Sequence, residues 1–408
     1  MKIIIYALNF KPDLIGVGKY TGELADYLHE KGHELHVITA PQYYPIWKSR
    51  RNSYFLDKNS EYKIFRCPIY IPKKPNGIKR IMHVISFSIT SFPVLLSQFK
   101  WNPDCILVIA PSIVCSLNSF IFRLIYRKKL LSLLHIQDFE LDAAFDLKIL
   151  RFSFLRKLFS KLELIALKNF KVISTISYAM IDKLVLKGVN KNKIYYFPNW
   201  VDINKIKTSS HINKSLNYFR NLLKISNETV VIQYSGSINN KQGLDFLLSI
   251  IKNFNGKKNI LWLIACEGPS KNKLIKGTKQ IKNVRFLPLQ KNDRLNDWLN
   301  SADIHIIPQD KNAKDNFFPS KLLGILASGI PVVSNASEKS ELGKIVKSAG
   351  IRVDPKDSKG FINALSYLIK HKSIRYQLGQ EGRKIVENKF SKFTILNQFN
   401  MFLEDQNL

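Results

Sequence analysis

Lysines at the starts of helical patterns are the residues of this chain best placed for chemistry. Lys241 stands just ahead of the apolar helical pattern opened by Gly243, and Pro319-Ser320-Lys321 opens another, with Ser320 positioned to cap it. An ammonium at such a place adds to the partial positive charge of unpaired backbone N–H groups, so each position suits an anion. Two such lysines, each after a strand, suit a diphosphate better than a lone phosphate. The stretch Gly16-Val17-Gly18-Lys19, between an apolar strand and a helix, is a further candidate. It lacks GxGxxG spacing, an acid at the tip of the next strand and a Walker pattern, so it is no dinucleotide fingerprint. Two readings of it stay open: a backbone that approaches an anion, or a tight strand-to-helix turn. His135 ends the apolar run LLSLLH, with Asp138 three residues on. A histidine at the carboxyl edge of a parallel strand is expected to point into the crevice and bind a polar substrate. His135, Asp138, Glu140 and Asp142 are conceivable metal ligands, but carboxylates on a loop are common and no metal is expected.

Such residues converge only if their strands end at one edge. In the first half, strands are expected at Lys2–Leu8, Leu35–Thr39, Tyr62–Cys67, Asp104–Ile109, Leu130–His135, Val172–Ile176 and Lys193–Phe197. Runs such as KIIIYAL and LLSLLH are apolar on both sides of the strand, which predicts parallel sheets covered by helices. The turn-rich stretch from Tyr195 to Ser215 marks a boundary. Beyond it strands are expected at Thr229–Tyr234, Ile260–Ala265, Val284–Leu287, Ile304–Ile307 and Pro331–Ser334, alternating with helical patterns. The predicted fold class is α/β, two Rossmann-like doubly wound domains facing a central cleft. The domains are residues 1–200 and 201–388, with 389–408 a C-terminal helix. Ligands of such sheets gather outside the carboxyl ends of the strands, and a cleft between two of them is the expected substrate site.

Length agrees with two cores: 408 residues exceed what one core usually organises. An apolar share of 45% excludes a disordered chain. Cys67, Cys105, Cys115 and Cys266 form no CxxC pair, which argues against zinc or a disulfide framework and for reduced core thiols in a cytoplasmic protein. The opening IIIYAL is too short for a signal-peptide core. The uncharged windows Ile81–Phe99 and Cys105–Phe122 are poor spans; the first is rich in Ser and Thr, and the second reads as strand, turn and helix. The net charge of +32 favours partners that carry phosphates. From Lys148 to Lys171 seven basic residues stand against one acid, Glu163, beside apolar residues at helical spacing. The stretch from Gly77 to Trp101 repeats the theme. Both suggest contact with an anionic membrane surface.

Taken as a set, GVGKYTGELADYLHEKGHELHVITAP, LHIQDFELDA, FPNWVD, SGSINNKQGLDFLL and FPSKLLGILASGIPVV resemble the family 4 retaining glycosyltransferases. The chain is similar, more narrowly, to those of colanic acid and O-antigen biosynthesis, and the match runs along nearly its whole length. The resemblance implies a GT-B fold and metal-independent transfer of a hexose, with retention, from a nucleoside diphosphate sugar. No cofactor is implied, and a GDP-sugar ranks ahead of a UDP-sugar. The implied acceptor is a lipid-linked (undecaprenyl diphosphate) saccharide on the inner face of the bacterial cytoplasmic membrane. By position, Gly16 and Gly18 would face the donor phosphates and His135 the donor sugar. Ser237, Lys241, Ser320 and Lys321 would hold the diphosphate, and Leu289 and Gln290 would meet the base. Asp138 joins the donor set. The resemblance also implies a final helix that returns to the first domain. Two departures stand out. The family's ribose-binding glutamate falls on Gly324 and its earlier acid on Asn316, which leaves Asp315 or Glu267 to substitute. The usual GDGP turn is CEGP here, with Cys266 before Glu267 and Gly268.

Two other functions compete. A nucleotide-sugar epimerase or hydrolase of the same fold would act on donor alone. A nucleic-acid-binding protein would account for the charge, but its basic residues would not follow Leu and Phe stripes, and no RNP or zinc-finger pattern is present.

Overall fold

A computed structural model describes residues 1–13, 16–43, 47–57, 60–73, 77–110, 113–126, 129–139, 161, 163–208, 214–238, 243–290, 292–310 and 319–407. The chain divides into two compact units, residues 1–198 with 396–408, and residues 199–395. The expected features at Lys241, Glu140, Asp142, Asp315 and Asn316, and most of the basic segment 148–171, lie outside the described residues.

The first unit is built on β1 (Lys2–Ala7), β2 (Glu34–Thr39), β3 (Phe55–Asp57), β4 (Lys63–Arg66), β5 (Cys105–Ala110), β6 (Leu131–Ile136), β7 (Val172–Thr175) and β8 (Ile194–Tyr196). Their order across the sheet is β3-β4-β2-β1-β5-β6-β7-β8. All neighbours are parallel except β3 and β4. The central strands are apolar on both sides because both sides are covered: Ile3, Ile4, Ile5, Ile106, Leu107 and Val108 are fully enclosed. The helices α1 (Val17–Glu30), α2 (Gly77–Ser97), α3 (Ile113–Tyr126) and α4 (Tyr178–Leu186) belong to this unit. Strand order reverses between β1 and β5, so the turn after β1, which carries Gly16 and leads into Gly18 in the first turn of α1, sits at the switch point.

The second unit repeats the plan with β9 (Val230–Ser237), β10 (Ile260–Glu267), β11 (Val284–Leu287), β12 (Ile304–Ile307), β13 (Val332–Ser334) and β14 (Gly350–Arg352). Its order, β11-β10-β9-β12-β13-β14, is all parallel and reverses between β9 and β12. Helices α5 (Tyr218–Leu222), α6 (Leu244–Asn253), α7 (Lys271–Thr278), α8 (Leu295–Asn300), α9 (Lys321–Ala327), α10 (Glu341–Ala349), α11 (Ser358–Lys370) and α12 (Lys372–Lys389) belong with it. Arg220 pairs with Asp303 at 2.5 Å, both enclosed, and its Nε–H donates to the Ser301 carbonyl. The last helix, α13 (Lys392–Asn407), packs on the first unit: Phe399 stacks on Phe197 at 4.1 Å and Phe402 on Tyr195 at 4.0 Å.

The α/β doubly wound fold class agrees with the apolar pattern of the strands. The short β3 and β14 were outside the expected set. Each has three residues, and neither shows an enclosed apolar run. The four cysteines are buried, and among the described residues none forms a disulfide.

Candidate active site

The carboxyl end of the second sheet, at its switch point, gathers most of the candidate donor residues. Lys321 opens α9, directly after Ser320, and its ammonium lies 4.3 Å over the ring of Tyr234 in β9. A Cβ at Gly236 would stand 3.6 Å from Lys321 Cδ, so the strand end runs close beneath the side chain. Among the described residues no carboxylate pairs with this ammonium, and burial pulls its pKa from 10.5 down to about 8. The nearby Cys266 thiol offers no compensating charge, because its own burial pushes it up to about 11. An ammonium held this way stays cationic at neutral pH and is under-neutralised, which suits an anionic ligand.

Around it, Ser237 is exposed at the end of β9, and its carbonyl accepts the Tyr234 hydroxyl at 2.7 Å. Glu267 stands beside Ser237 in register, and its carboxylate turns to Lys271 at 2.6 Å. That ion pair ties Glu267 to the start of its own following helix. Gly268 has φ 134°, and a Cβ there would meet the Ile238 carbonyl oxygen at 2.5 Å, so glycine is required for the two turns to touch. Gly243 has the same logic, with φ 61° and the Gln309 carbonyl 2.6 Å from a would-be Cβ. Leu289 packs against the apolar cluster around Trp298, and the Gln290 amide donates to the Pro288 carbonyl at 2.6 Å. Ser320 differs from its expected role: it is the residue before α9, but its side chain makes no capping hydrogen bond, because its backbone is already helical. Gly324 lies one turn into α9, where a Cβ would meet only Leu299 Cδ1 at 3.4 Å.

In the first unit, Gly16 has φ 66° and ψ −148°, a conformation costly for other residues, and open space beyond its Cα. Gly18 has a different reason for being glycine. A Cβ there would fall 2.6 Å from both Cβ and Oδ2 of Asp13, so the residue makes room for a carboxylate. Asp13 is buried, accepts from the Asn9 amide at 3.3 Å and has no partner for Oδ1 among the described residues; burial raises its pKa to about 6. A carboxylate against this turn counts against a phosphate at Gly18. Sequence reasoning missed Asp13, although an acid five residues before a glycine turn was there to be noticed. Lys19 is half-buried and lies 3.9 Å from Glu23.

His135 is enclosed and does not open into a crevice. It is 2% exposed, its Nδ1 is 3.0 Å from Ser174 Oγ, and its ring meets Phe197 edge-on at 5.0 Å. Burial lowers its pKa to about 3, so the imidazole is neutral at physiological pH and offers a hydrogen bond without a charge. Asp138, three residues on, is exposed. Among the described residues no three His, Cys, Asp or Glu cluster as metal ligands would.

The fold is that of GT-B glycosyltransferases, and the chain belongs to the family 4 glycosyltransferases. Residues 15–205 match the model of Glycosyltransferase Family 4, and residues 229–371 match that of Glycosyl transferases group 1. A colanic acid biosynthesis glycosyl transferase of Escherichia coli, WcaI, is 33% identical over 98% of each chain. A lipopolysaccharide core biosynthesis glycosyltransferase of Rhizobium meliloti, LpsE, is 24% identical over 42% of this chain and 49% of its own. Solved structures share the fold. WaaG, a glycosyltransferase of lipopolysaccharide biosynthesis, superposes with a TM-score of 0.70 at 13% identity, covering 97% of this chain and 98% of its own. HepE of Anabaena, solved with UDP and glucose, does so at 0.70 and 14%, covering 99% and 100%.

Proposed function

We propose that this chain transfers a hexose, with retention and without a metal, from a nucleoside diphosphate sugar to an undecaprenyl diphosphate-linked saccharide. The product would enter O-antigen or exopolysaccharide biosynthesis on the inner face of the cytoplasmic membrane. The observation that carries the reading is Lys321, a half-buried ammonium with a lowered pKa and no carboxylate partner among the described residues, at the switch point of the second sheet. Departure of the sugar leaves negative charge on the diphosphate, and a pre-placed cation in a partly dry site stabilises that charge as it develops. Lys241 is assigned the same role. Ser237, Glu267, Gly268, Leu289, Gln290 and Ser320 line the nucleotide's place in the second unit, while in the first unit Gly16 stays a backbone candidate for an anion and Asp13 counts against Gly18. His135, being neutral and buried, does not serve as an acid.

The polysaccharide assignment draws on the colanic acid and lipopolysaccharide descriptions of the relatives. The donor class draws on HepE, whose structures hold UDP-glucose or UDP and glucose; a GDP-sugar remains the first choice for this chain. Thermal unfolding with UDP, GDP and their sugars tests the donor, since a ligand of the native state alone raises its stability. Incubation of donor with and without a lipid-linked acceptor then tests transfer. Conversion of donor alone at the full rate would assign an epimerase or hydrolase instead.

A further inference from the structure

Helices α2 and α3 lie side by side against the first sheet. Asn118 Nδ2 donates to the Ser88 carbonyl at 2.8 Å, and the rings of Phe99 and Phe122 meet at 4.6 Å. Polar pairs hold the inner side of α2 and the turn that follows it: the Ser91 and Tyr6 hydroxyls are 2.6 Å apart, and the His36 ring donates to Gln98 Oε1 at 2.6 Å. Its outer side is apolar too. Ile78, Met82, Ile85 and Ile89 recur there at helical spacing, and Ile121, Leu124 and Ile125 do so on α3. Ile78, Ile89 and Leu124 are 68%, 67% and 62% exposed. A helix apolar on both sides is normally enclosed by protein or lipid, and an exposed apolar area of this kind marks a contact surface.

Charge selects the partner. Residues 62–137 carry eleven Lys or Arg and one acid, Asp104, and neither helix contains Asp or Glu. Lys73, Lys79, Arg80, Lys100 and Lys129 are exposed near the ends of the two helices. The segment Ile78–Trp101 is long and apolar enough to cross a bilayer. Crossing would pull α2 off the sheet and leave Tyr6, His36 and Asn118 without their partners, whereas lying on a surface keeps every one of those bonds. The exposed residues are Ile, Leu and Met, not the aromatic platforms on which single-stranded nucleic acid stacks.

We infer that the outer side of α2 and α3 docks on an anionic lipid bilayer, apolar side chains in the acyl boundary and basic ones at the lipid phosphates. The inference rests on the proposed transfer to a lipid-linked acceptor and names the surface that meets the membrane. The test is co-sedimentation of the full chain with phosphatidylcholine vesicles, with and without phosphatidylglycerol. Wild type should sediment with the anionic vesicles, less so as salt rises. Met82→Ser/Ile89→Ser/Leu124→Ser should weaken that binding about a hundredfold or more. Lys79→Glu/Arg80→Glu should weaken it at least about tenfold at low salt. All three proteins should keep the same thermal shift with nucleotide and the same transfer to a short-chain, detergent-dispersed acceptor. Wild type that ignores anionic vesicles, or a triple-serine variant that binds them unchanged, overturns the surface. So does a wild-type dimer in analytical ultracentrifugation that the triple-serine variant turns monomeric, because the face would then join two copies of the chain. Failure of wild type to bind any nucleotide would sink the proposed function while leaving the vesicle result intact.

Discussion

Replacing Lys321 with methionine should make the protein more stable and less able to bind nucleotide. The pKa of Lys321 falls from 10.5 to about 8 on folding, so the fold holds the charged form at a cost. At 1.36 kcal/mol per unit, that cost is about 3 kcal/mol at pH 7, where the side chain is charged both folded and unfolded. Methionine keeps the length of the stem over Tyr234 and removes the charge; the lost cation–π contact returns about 1 kcal/mol. The net gain is about 2 kcal/mol, a rise of about 4–8 °C for a unit of this size. The sign with pH is also set. Because the folded-state pKa is depressed, wild type gains stability as pH rises from 8 to 10.5, so the gap to Lys321→Met should close over that window. Thermal unfolding of both proteins from pH 7 to 10, with and without nucleoside diphosphate, reads all of this. Nucleotide at a hundred times its Kd should stabilise wild type by about 2.7 kcal/mol and the variant far less. A variant that is no more stable at pH 7, yet binds nucleotide as wild type does, would refute the reasoning at both steps.

Other perturbations follow from the same geometry. Gly268→Ala should lower stability by about 2 kcal/mol or more, because its Cβ meets the Ile238 backbone at 2.5 Å and its φ of 134° suits only glycine; denaturant unfolding measures it. Gly324→Ala should instead add about 0.5–1 kcal/mol, since it sits inside α9 with room for a methyl. A loss at that position would mean that the helix does not tolerate a side chain there. Acid should unfold the protein through two enclosed imidazoles, His135 and His305, with pKa values lowered by burial to about 3 and about 4. Their contribution is complete above pH 6.5 and is lost as pH falls, roughly 3 kcal/mol for each by pH 4. Urea titrations at pH 7, 6 and 5 that show no fall would contradict it.

How much of this was legible in the chain depends on how local each signal is. Strands such as Lys2–Ala7 and Leu131–Ile136 could be read because burial on both sides leaves an unbroken apolar run. The three-residue β3 could not, since its burial depends on β4, its antiparallel partner at the sheet edge. Turn glycines could be read as turns, but not for the neighbour that requires them: Gly18 faces Asp13, and Gly268 faces Ile238. The stripe Ile78–Ile89 was legible as apolar, yet only the packing of the opposite side against Tyr6 and His36 shows that it faces outward.

The same division runs through the two lysines that begin helices. By itself the sequence determined that Lys19 and Lys321 each follow a turn and open a helix, because helix starts are written in neighbouring residues. Tertiary structure alone decided their chemistry. Both are half-buried, but Lys19 lies within 3.9 Å of Glu23, while Lys321 sits over Tyr234 with no carboxylate partner among the described residues and its pKa down at about 8. Solvation is set by groups brought from elsewhere in the chain, and so is the histidine's: Ser174 and Phe197, distant in sequence, make His135 a neutral, buried group.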